Sequence, residues 1–572
     1  MMLNYYNKPV AYIMPYTRKA HPGIYPDGLA RGIHFAYSYD GKNFTEMNSN
    51  YGILFATATI SEKNTIQIKA LKEPRIFLMP DNRYGIIAVR TNEDGSDDEE
   101  SMGKVLLFTT GDFIEFKEEG LVDVSCLGKD NNFPCSYADA SMQVIKPMSA
   151  PFESIPGNMI QVPLSVCDKA VLRYSKLYNT KINVPKTVVA SSAEEVDAVM
   201  ATAVYSDGST AMKQVDWDTS KIDFKKPGTY SIKGEVLCEK YKFPLANGYG
   251  DPVILPWEGK YYFIGTNDNL NDIGIYVREA DEVADLFKED FEQHAILDYD
   301  EERGFYQTFW APEFHVIGGE LYILFAVGGK QWSPQCHIMK FKKGGSIIDP
   351  ASWENPIRIK KMDGSWLGEG GITLDMTYFK AGDKSYVTWS YRQYINSPMD
   401  TGSMIYIATI DEAKPWQLNS EPVLLTRPLY GWENTEGTIN NEGPYAFVTD
   451  EKVYLTYSGG AANGYTYVLG LLTGNVADDL LKVDNWKKNK TGVLSFYSID
   501  GIYGPGHNSF FTDKYGNLMI AYHAEDKIDN HLRCDAIHRV HFNIDGEPVF
   551  DLSADRDLDE KLKWVEMEVE VK

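Results

Sequence analysis

Four carboxylates and one imidazole stand at matching points of a repeat. They are Asp251 in "GDPVIL", Glu313 in "WAPEFHV", Asp375 in "TLDMTYF", Glu442 in "NEGPYAF" and His507 in "GPGHNSFF". Each lies 7 to 10 positions before a turn that opens an aromatic-rich strand. Solvated loop charges have no reason to recur in phase with a repeat. Two carboxyls whose surroundings push their proton affinities apart can serve as acid and base on opposite faces of a bond. A third carboxylate can hold a neighbour protonated by like-charge repulsion. The competing use is a structural cation site, because carboxylates and water also suit Ca²⁺. Both uses can share one channel.

Such groups act together only if the fold brings them together. Helical periodicity is scarce, and short strand-like runs bounded by Gly, Asn, Asp and Pro dominate, so an all-β chain is expected. The segments "EGKYYFIGTN", "GGELYILFAV", "GDKSYVTWSY", "DEKVYLTYSG" and "YGNLMIAYHA" each join a turn to an apolar strand. Their turn residues Lys260, Glu320, Lys384, Lys452 and Asn517 are 60, 64, 68 and 65 positions apart. Five such units predict a five-bladed β-propeller over 242–555. The innermost strand of each blade lines the axis, so residues at one depth on five inner strands converge.

Upstream, 185–241 carries alternating strands, an "SDGS" hairpin turn and the turn-strand Pro227-Gly228-Thr229-Tyr230. With Trp217 these features predict a small β-sandwich that resembles bacterial Ig-like domains. Residues 1–125 are β-rich. Glu73-Pro74 mirrors Asp251-Pro252, and "GIHFAYSYDGKNF" reads as an outer hairpin, so one or two blades of a partial propeller-like region are expected, in a packing role. Residues 126–184 read as a connector, and "NEDGSDDEESMG" as a solvated acidic loop. The terminal 556–572 ends in the strictly alternating "VEMEVEVK", a half-exposed strand expected to join a sheet edge.

The formal net charge is −25 over 572 residues. That balance excludes a polyanion-binding role, since nucleic acid would be repelled. It leaves a neutral carbohydrate partner open. The six cysteines, Cys126, Cys135, Cys167, Cys238, Cys336 and Cys534, form no zinc spacing and no C-x-x-C pair. Scattered thiols suggest a reducing compartment. The opening "MMLNYYNKPVAYIMPY" lacks a basic segment followed by an apolar core, and no run approaches the roughly 18 residues of a membrane span. A cytoplasmic protein without membrane contact is the expectation; the oligomeric state stays open.

From about 247 to 550 the chain resembles glycoside hydrolase family 43, through "GYGDPVILPWEGKYYF", "WAPEFHVIGGELYILFA", "TLDMTYFKAGDKSYVTW", "NNEGPYAFVTDEKVYLTYS" and "GPGHNSFFTDKYGNLMIAYHA", one per blade and in the family's order. The resemblance implies a five-bladed propeller and roles by position. Asp251 matches the general base that activates water. Glu442 matches the general acid on the leaving oxygen, and Asp375 matches the carboxylate that orients that acid and raises its pKa. The family inverts the anomeric centre, which requires the acid and base roughly 6.5–9.5 Å apart. No cofactor is implied for the chemistry. His507 resembles a channel histidine that approaches a structural calcium through its waters; a hydrogen-bonded core histidine is the other reading.

Glu313 stands where the family often has Asp and is expected in the channel, facing substrate. Trp310 and Phe309 are candidates for the wall of the sugar pocket, although inner-strand aromatics also fill cores. Arg533 falls where the family often has a substrate-facing arginine, with Arg539 leaving the alignment open.

"TLDMTYF" and "NNEGPYAF" look more like the arabinofuranosidase branches than the xylosidase ones. The resemblance therefore implies exo-acting release of terminal α-L-arabinofuranosyl units from arabino-oligosaccharides or arabinoxylan-derived oligosaccharides. A β-D-xylosidase of the same family and a non-catalytic carbohydrate-binding propeller are the alternatives. Fructan-acting propellers use Asn-Asp-Pro and Arg-Asp-Pro, whereas this chain has Gly-Asp-Pro at 250–252 and no Arg-Asp-Pro.

Overall fold

The computed structural model describes residues 10–123, 147–288, 290–528 and 530–572. The expected connector 126–184 lies outside the described residues up to 146, as do Cys126 and Cys135. No helix among the described residues is long and apolar enough to cross a membrane.

Five successive antiparallel sheets follow residue 248. Their first strands are Tyr249–Trp257, Gln307–Ile317, Ile372–Ala381, Asn441–Val448 and Tyr503–Thr512. Each pairs with the strand after it through a tight turn. In the first two sheets both turn residues have positive φ (Glu258 48° and Gly259 82°; Gly318 59° and Gly319 81°), the twist that hairpin turns require. The first strands touch one another in cyclic order, and the fifth touches the first, so the sheets form a closed ring. The ring is locked where the chain enters it. The Leu245 amide donates to the Asp535 carbonyl (3.0 Å), the Asp535 amide to Ala246 (3.1 Å), and the Gly248 amide to Arg533 (2.8 Å). Residues 245–248 thereby cover the outer edge of the fifth sheet, which supplies only three strands of its own. Between sheets, Ile264, Ile323, Phe325, Leu469, Ile520 and Tyr522 build one continuous apolar core.

Two larger sheets and the small hairpin Thr59–Ile60/Ile66–Gln67 lie N-terminal. Val10–Arg18 pairs with His34–Ser38, Ser154–Pro156 and Ile160–Pro163. Lys69–Leu78 opens a second, four-stranded sheet. Tyr25, Leu29, Tyr51 and Phe55 from this region share a core with Ile405, Trp432 and Tyr457 of the ring, so the two parts pack as one body.

The sandwich is built from both sides of the ring. Ala201–Tyr205 pairs with Asn179–Asn183 and Thr210–Lys213 in one sheet. In the other, the C-terminal strand Trp564–Val571 lies between Thr187–Val189 and Gly228–Val236. Its burial alternates strictly, as its sequence does. Its place is central, not the edge expected, because strands from both sides pair with it. Val565, Met567, Val569 and Val571 face the sandwich core. At roughly 1.5–3 kcal/mol per buried side chain, truncation before Trp564 is expected to melt this sandwich. Limited proteolysis should then cut within 187–236, and the lowest-temperature calorimetric transition should disappear.

Candidate active site

Every inner strand of the ring carries a β-bulge at the same place. The ladder slips after Gly250, Trp310, Leu374, Glu442 and Gly506. The residue that follows each slip has left-handed backbone: Asp251 (φ 57°), Ala311 (44°), Asp375 (54°), Gly443 (55°) and His507 (44°). A bulge re-aims the side chain it carries, and strained non-glycine backbone of this kind concentrates at functional sites. Asp251, Asp375 and His507 thus share one level. Glu442 stands one residue before its bulge glycine, and Glu313 two residues past Ala311. The equal depth expected for all five therefore holds for three, because counting back from the turn assumes a regular strand.

Asp251 is 6% exposed and fully partnered. Its Oδ2 accepts from the Thr266 hydroxyl (2.5 Å), and its Oδ1 accepts from Arg533 Nη1 (3.0 Å). His507 Nδ1 lies 3.1 Å from the same Oδ1. The Asp251 amide donates to His523 Nδ1 (3.1 Å), while His523 Nε2 pairs with the Ala462 carbonyl (2.9 Å), which fixes the tautomer with the proton on Nε2. Burial alone would raise the Asp251 pKa; the His507 and Arg533 charges reverse this and hold the carboxyl well below its usual range. Burial depresses His507 itself, so the standing cation at neutral pH is Arg533. The guanidinium also binds Asp268 through Nε (2.9 Å). Gly250 makes room for it, since a Cβ there would sit 2.1 Å from Arg533 Cζ. Arg539 lies elsewhere, on buried Asp557 beside Lys213 and Tyr205 of the sandwich.

Across the ring, Asp375 and Glu442 form a second carboxyl pair. Asp375 Oδ2 accepts from the Gly443 amide (3.0 Å) and the Ser390 hydroxyl (3.2 Å). Glu442 Oε1 accepts from the Tyr467 hydroxyl (2.9 Å). Burial, then the charges of Glu442 and Asp251, push Asp375 well above the carboxylate range. Burial pushes Glu442 up as well, against the opposing effect of His507. Both are thus shifted toward holding a proton. Glu442, the partly exposed member, is the one that can hand it to a bound molecule. The site therefore opposes a carboxyl shifted toward its ionised form to two carboxyls shifted toward their protonated forms.

Gly443 is fixed here twice over. Its φ is left-handed, and a Cβ would sit 2.8 Å from His507 Cγ. Gly443→Ala is expected to cost about 1–2 kcal/mol in backbone strain. By displacing His507 it should also lower kcat by up to about 10²-fold, as ångström-scale misplacement does. Thermal unfolding and steady-state turnover of the variant check both.

The other expected site residues divide. Trp310 is half-buried, and its indole Nε1 donates to Asp272 Oδ2 (2.8 Å). Phe309 is 1% exposed inside the main core, which corrects the expectation that it walls a sugar pocket: alternation turns it away from its neighbour. Glu313 is also buried and bonds His315 Nε2 (2.7 Å). Burial, then the Asp251 charge, raises Glu313, and burial lowers His315 to about 3, so both members of the pair are pushed toward their uncharged forms. Glu313 is thus a partner of His315 beneath the site and not a substrate contact.

Calcium is not supported. Among the described residues no group of three or more His, Cys, Asp or Glu is arranged to hold a metal ion. His507 turns Nδ1 to Asp251, and its buried Nε2 has no hydrogen-bond partner. One imidazole nitrogen does not make the six- to eight-oxygen shell that calcium takes.

Sequence reading missed the second strands. Six residues past each turn residue stand Thr266, Ala326, Ser390, Ser458 and His523, each paired with the residue before the bulge. Four of the five are polar, and all four bind a bulge. Thr266 and Ser390 donate to the carboxylates of their own sheets. Thr266, Ser458 and His523 accept the amides of Ala311, His507 and Asp251 in the next sheet (2.8, 2.8 and 3.1 Å). A polar residue recurring at this phase was the available signal. Tyr467 and Asp272 lie in loops and Asp268 opens a one-turn 3-10 helix, so none of them carries such a signal.

Residues 200–237 match the family model for the bacterial Ig-like domain (group 4), and residues 241–548 match that for glycosyl hydrolases family 43. The chain is 31% identical over 258 residues to an extracellular exo-alpha-(1->5)-L-arabinofuranosidase of Streptomyces avermitilis, covering 42% of this chain and 49% of the relative. It is 28% identical over 326 residues to alpha-L-arabinofuranosidase B of Pyricularia oryzae, covering 54% and 63%. Among solved structures, an alpha-L-arabinofuranosidase from Lactobacillus brevis aligns with a TM-score of 0.47 and 29% identity, over 54% of this chain and 96% of that one. The chain thus spans between about half and two thirds of the two sequence relatives. The cytoplasmic expectation is overturned by the extracellular naming of the Streptomyces relative; scattered thiols do not fix a compartment. Matched by the family 43 model over more than half of its length, the chain belongs to glycosyl hydrolases family 43.

Proposed function

We propose that the chain is an inverting, exo-acting α-L-arabinofuranosidase that removes terminal arabinofuranosyl units from arabino-oligosaccharides or arabinoxylan-derived oligosaccharides outside the cytoplasm. The observation that carries this reading is the opposition of Asp251, paired with Arg533 and pushed toward its ionised form, to Asp375 and Glu442, both pushed toward their protonated forms. The names of the Streptomyces and Pyricularia relatives support the sugar.

In this reading Asp251 takes a proton from water as the water oxygen bonds to the anomeric carbon. The bond from that carbon to the leaving oxygen breaks on the other face, and Glu442 gives that oxygen its proton. Asp375 positions Glu442 through the Gly443 amide, and burial pushes Glu442 toward the protonated form it needs. Arg533 holds Asp251 ionised and in place. Trp310 offers a partly exposed ring face at the pocket wall. The test is proton NMR of the first-formed product, with nitrophenyl α-L-arabinofuranoside and nitrophenyl β-D-xyloside run in parallel. Early β-arabinose from the first substrate is expected. Early α-arabinose would end the inverting assignment, and turnover of the xyloside alone would end the sugar assignment.

A further inference from the structure

The N-terminal region packs against the loop that precedes the acid's strand. The carboxylates stand near the starts of their inner strands, so the loops that enter those strands open at the catalytic end. The loop entering Asn441–Val448 spans 427–440 and leads directly to Glu442. N-terminal backbone is pinned to this loop: Arg427 donates to the Asn64 side chain (2.8 Å) and carbonyl (2.9 Å), and the Ala58 amide donates to the Leu429 carbonyl (2.8 Å). Between the two surfaces lies a cleft of about 550 Å³. Gln67, Asn92 and Ser96 line it on the N-terminal side, and Asn434, Thr438 and Ile439 on the loop side.

We propose that this cleft binds the part of the oligosaccharide beyond the scissile bond, so that the N-terminal region supplies the leaving-group subsites. The inference rests on the arabinofuranosidase reading above. The acid protonates the leaving oxygen, so the rest of the substrate departs on the side of the acid's own loop. The lining combines amide and hydroxyl groups with isoleucine edges and the charged residues Lys69, Glu93 and Asp94, and it holds no aromatic ring. Such a wall recognises a flexible chain of sugar hydroxyls by hydrogen bonding and does not stack flat rings. The Asn434 amide nitrogen is used by the Pro428 and Tyr430 carbonyls, while its buried oxygen has no partner, which leaves an acceptor beside the cleft.

The experiment compares the unaltered enzyme with Gln67→Ala and Gln67→Trp, the second filling the cleft from an exposed position. Each is assayed on nitrophenyl arabinofuranoside, which has no sugar beyond the leaving oxygen, and on a linear arabinotetraose. Gln67→Trp should lower kcat/KM on the tetraose about 10-fold, mainly through KM, and leave the aryl substrate within about twofold. Gln67→Ala should show the same split at smaller size. Equal losses on both substrates, or no loss on either, would overturn the proposal while leaving the arabinofuranosidase reading intact. An unaltered enzyme that turns over neither arabinofuranoside would remove that reading and this inference with it.

Discussion

Asp251→Asn is expected to lower kcat by about 10²–10⁴-fold, the contribution of a positioned base, in a protein that stays folded. The amide keeps the shape: its single oxygen can still accept from Arg533, while its NH2 faces the Thr266 hydroxyl, which must turn from donor to acceptor, so thermal unfolding should change only modestly. The carboxylate's charge state also predicts the acid limb of the pH profile. Asp251 works only when ionised, and its pKa is held well below the usual carboxylate range. The acid limb of kcat/KM should therefore lie below that of an ordinary aspartate, with activity lost only as pH falls through the depressed value. Arg533→Met removes the standing cation 3.0 Å away. Burial is then opposed only by His507 and His523, so Asp251 moves upward and the acid limb moves to higher pH. An unmoved limb in Arg533→Met would show that another group sets it.

The ring and the meeting of its carboxylates were legible because five units of similar length carry an ionisable residue in phase. Convergence follows from any closed ring of such units, whatever the details of the loops. The exact level of each group was not legible. One extra residue per inner strand places Asp251, Asp375 and His507 on the bulge itself, and puts Gly443 where Glu442 was counted. Glu73 shows the same device in the N-terminal sheet, with φ 54° after a slip at Lys72. The Glu73-Pro74 likeness to Asp251-Pro252 was thus a likeness of backbone. The alternation of the last strand was plain in the sequence, but its central position depends on partners more than 300 residues away. Phe309 and Trp310 were ambiguous for a simpler reason: neighbours on a strand point to opposite faces, and type alone does not say which face is wet.

The leaving-group dependence of Glu442→Gln separates the acid from every other site residue. Glutamine keeps the size and can still accept from the Tyr467 hydroxyl, but it has no proton to give. On an arabino-oligosaccharide, whose leaving alkoxide is a poor one, kcat/KM should fall by about 10²–10⁴-fold. On a dinitrophenyl arabinofuranoside the leaving oxygen needs no proton, so most of the activity should survive. The pH profile should change with it. In the unaltered enzyme the Asp375–Glu442 pair is pushed upward, so activity persists until pH rises through that raised value, and the alkaline limb lies above the ordinary glutamate range. In Glu442→Gln this limb should vanish for the dinitrophenyl substrate. Asp375→Asn should instead keep the limb, because burial and the Asp251 charge, not Asp375, are what raise Glu442. Equal losses in Glu442→Gln on both leaving groups would mean that Glu442 binds substrate without protonating it. The acid would then have to be sought in Asp375, the other member of the pair.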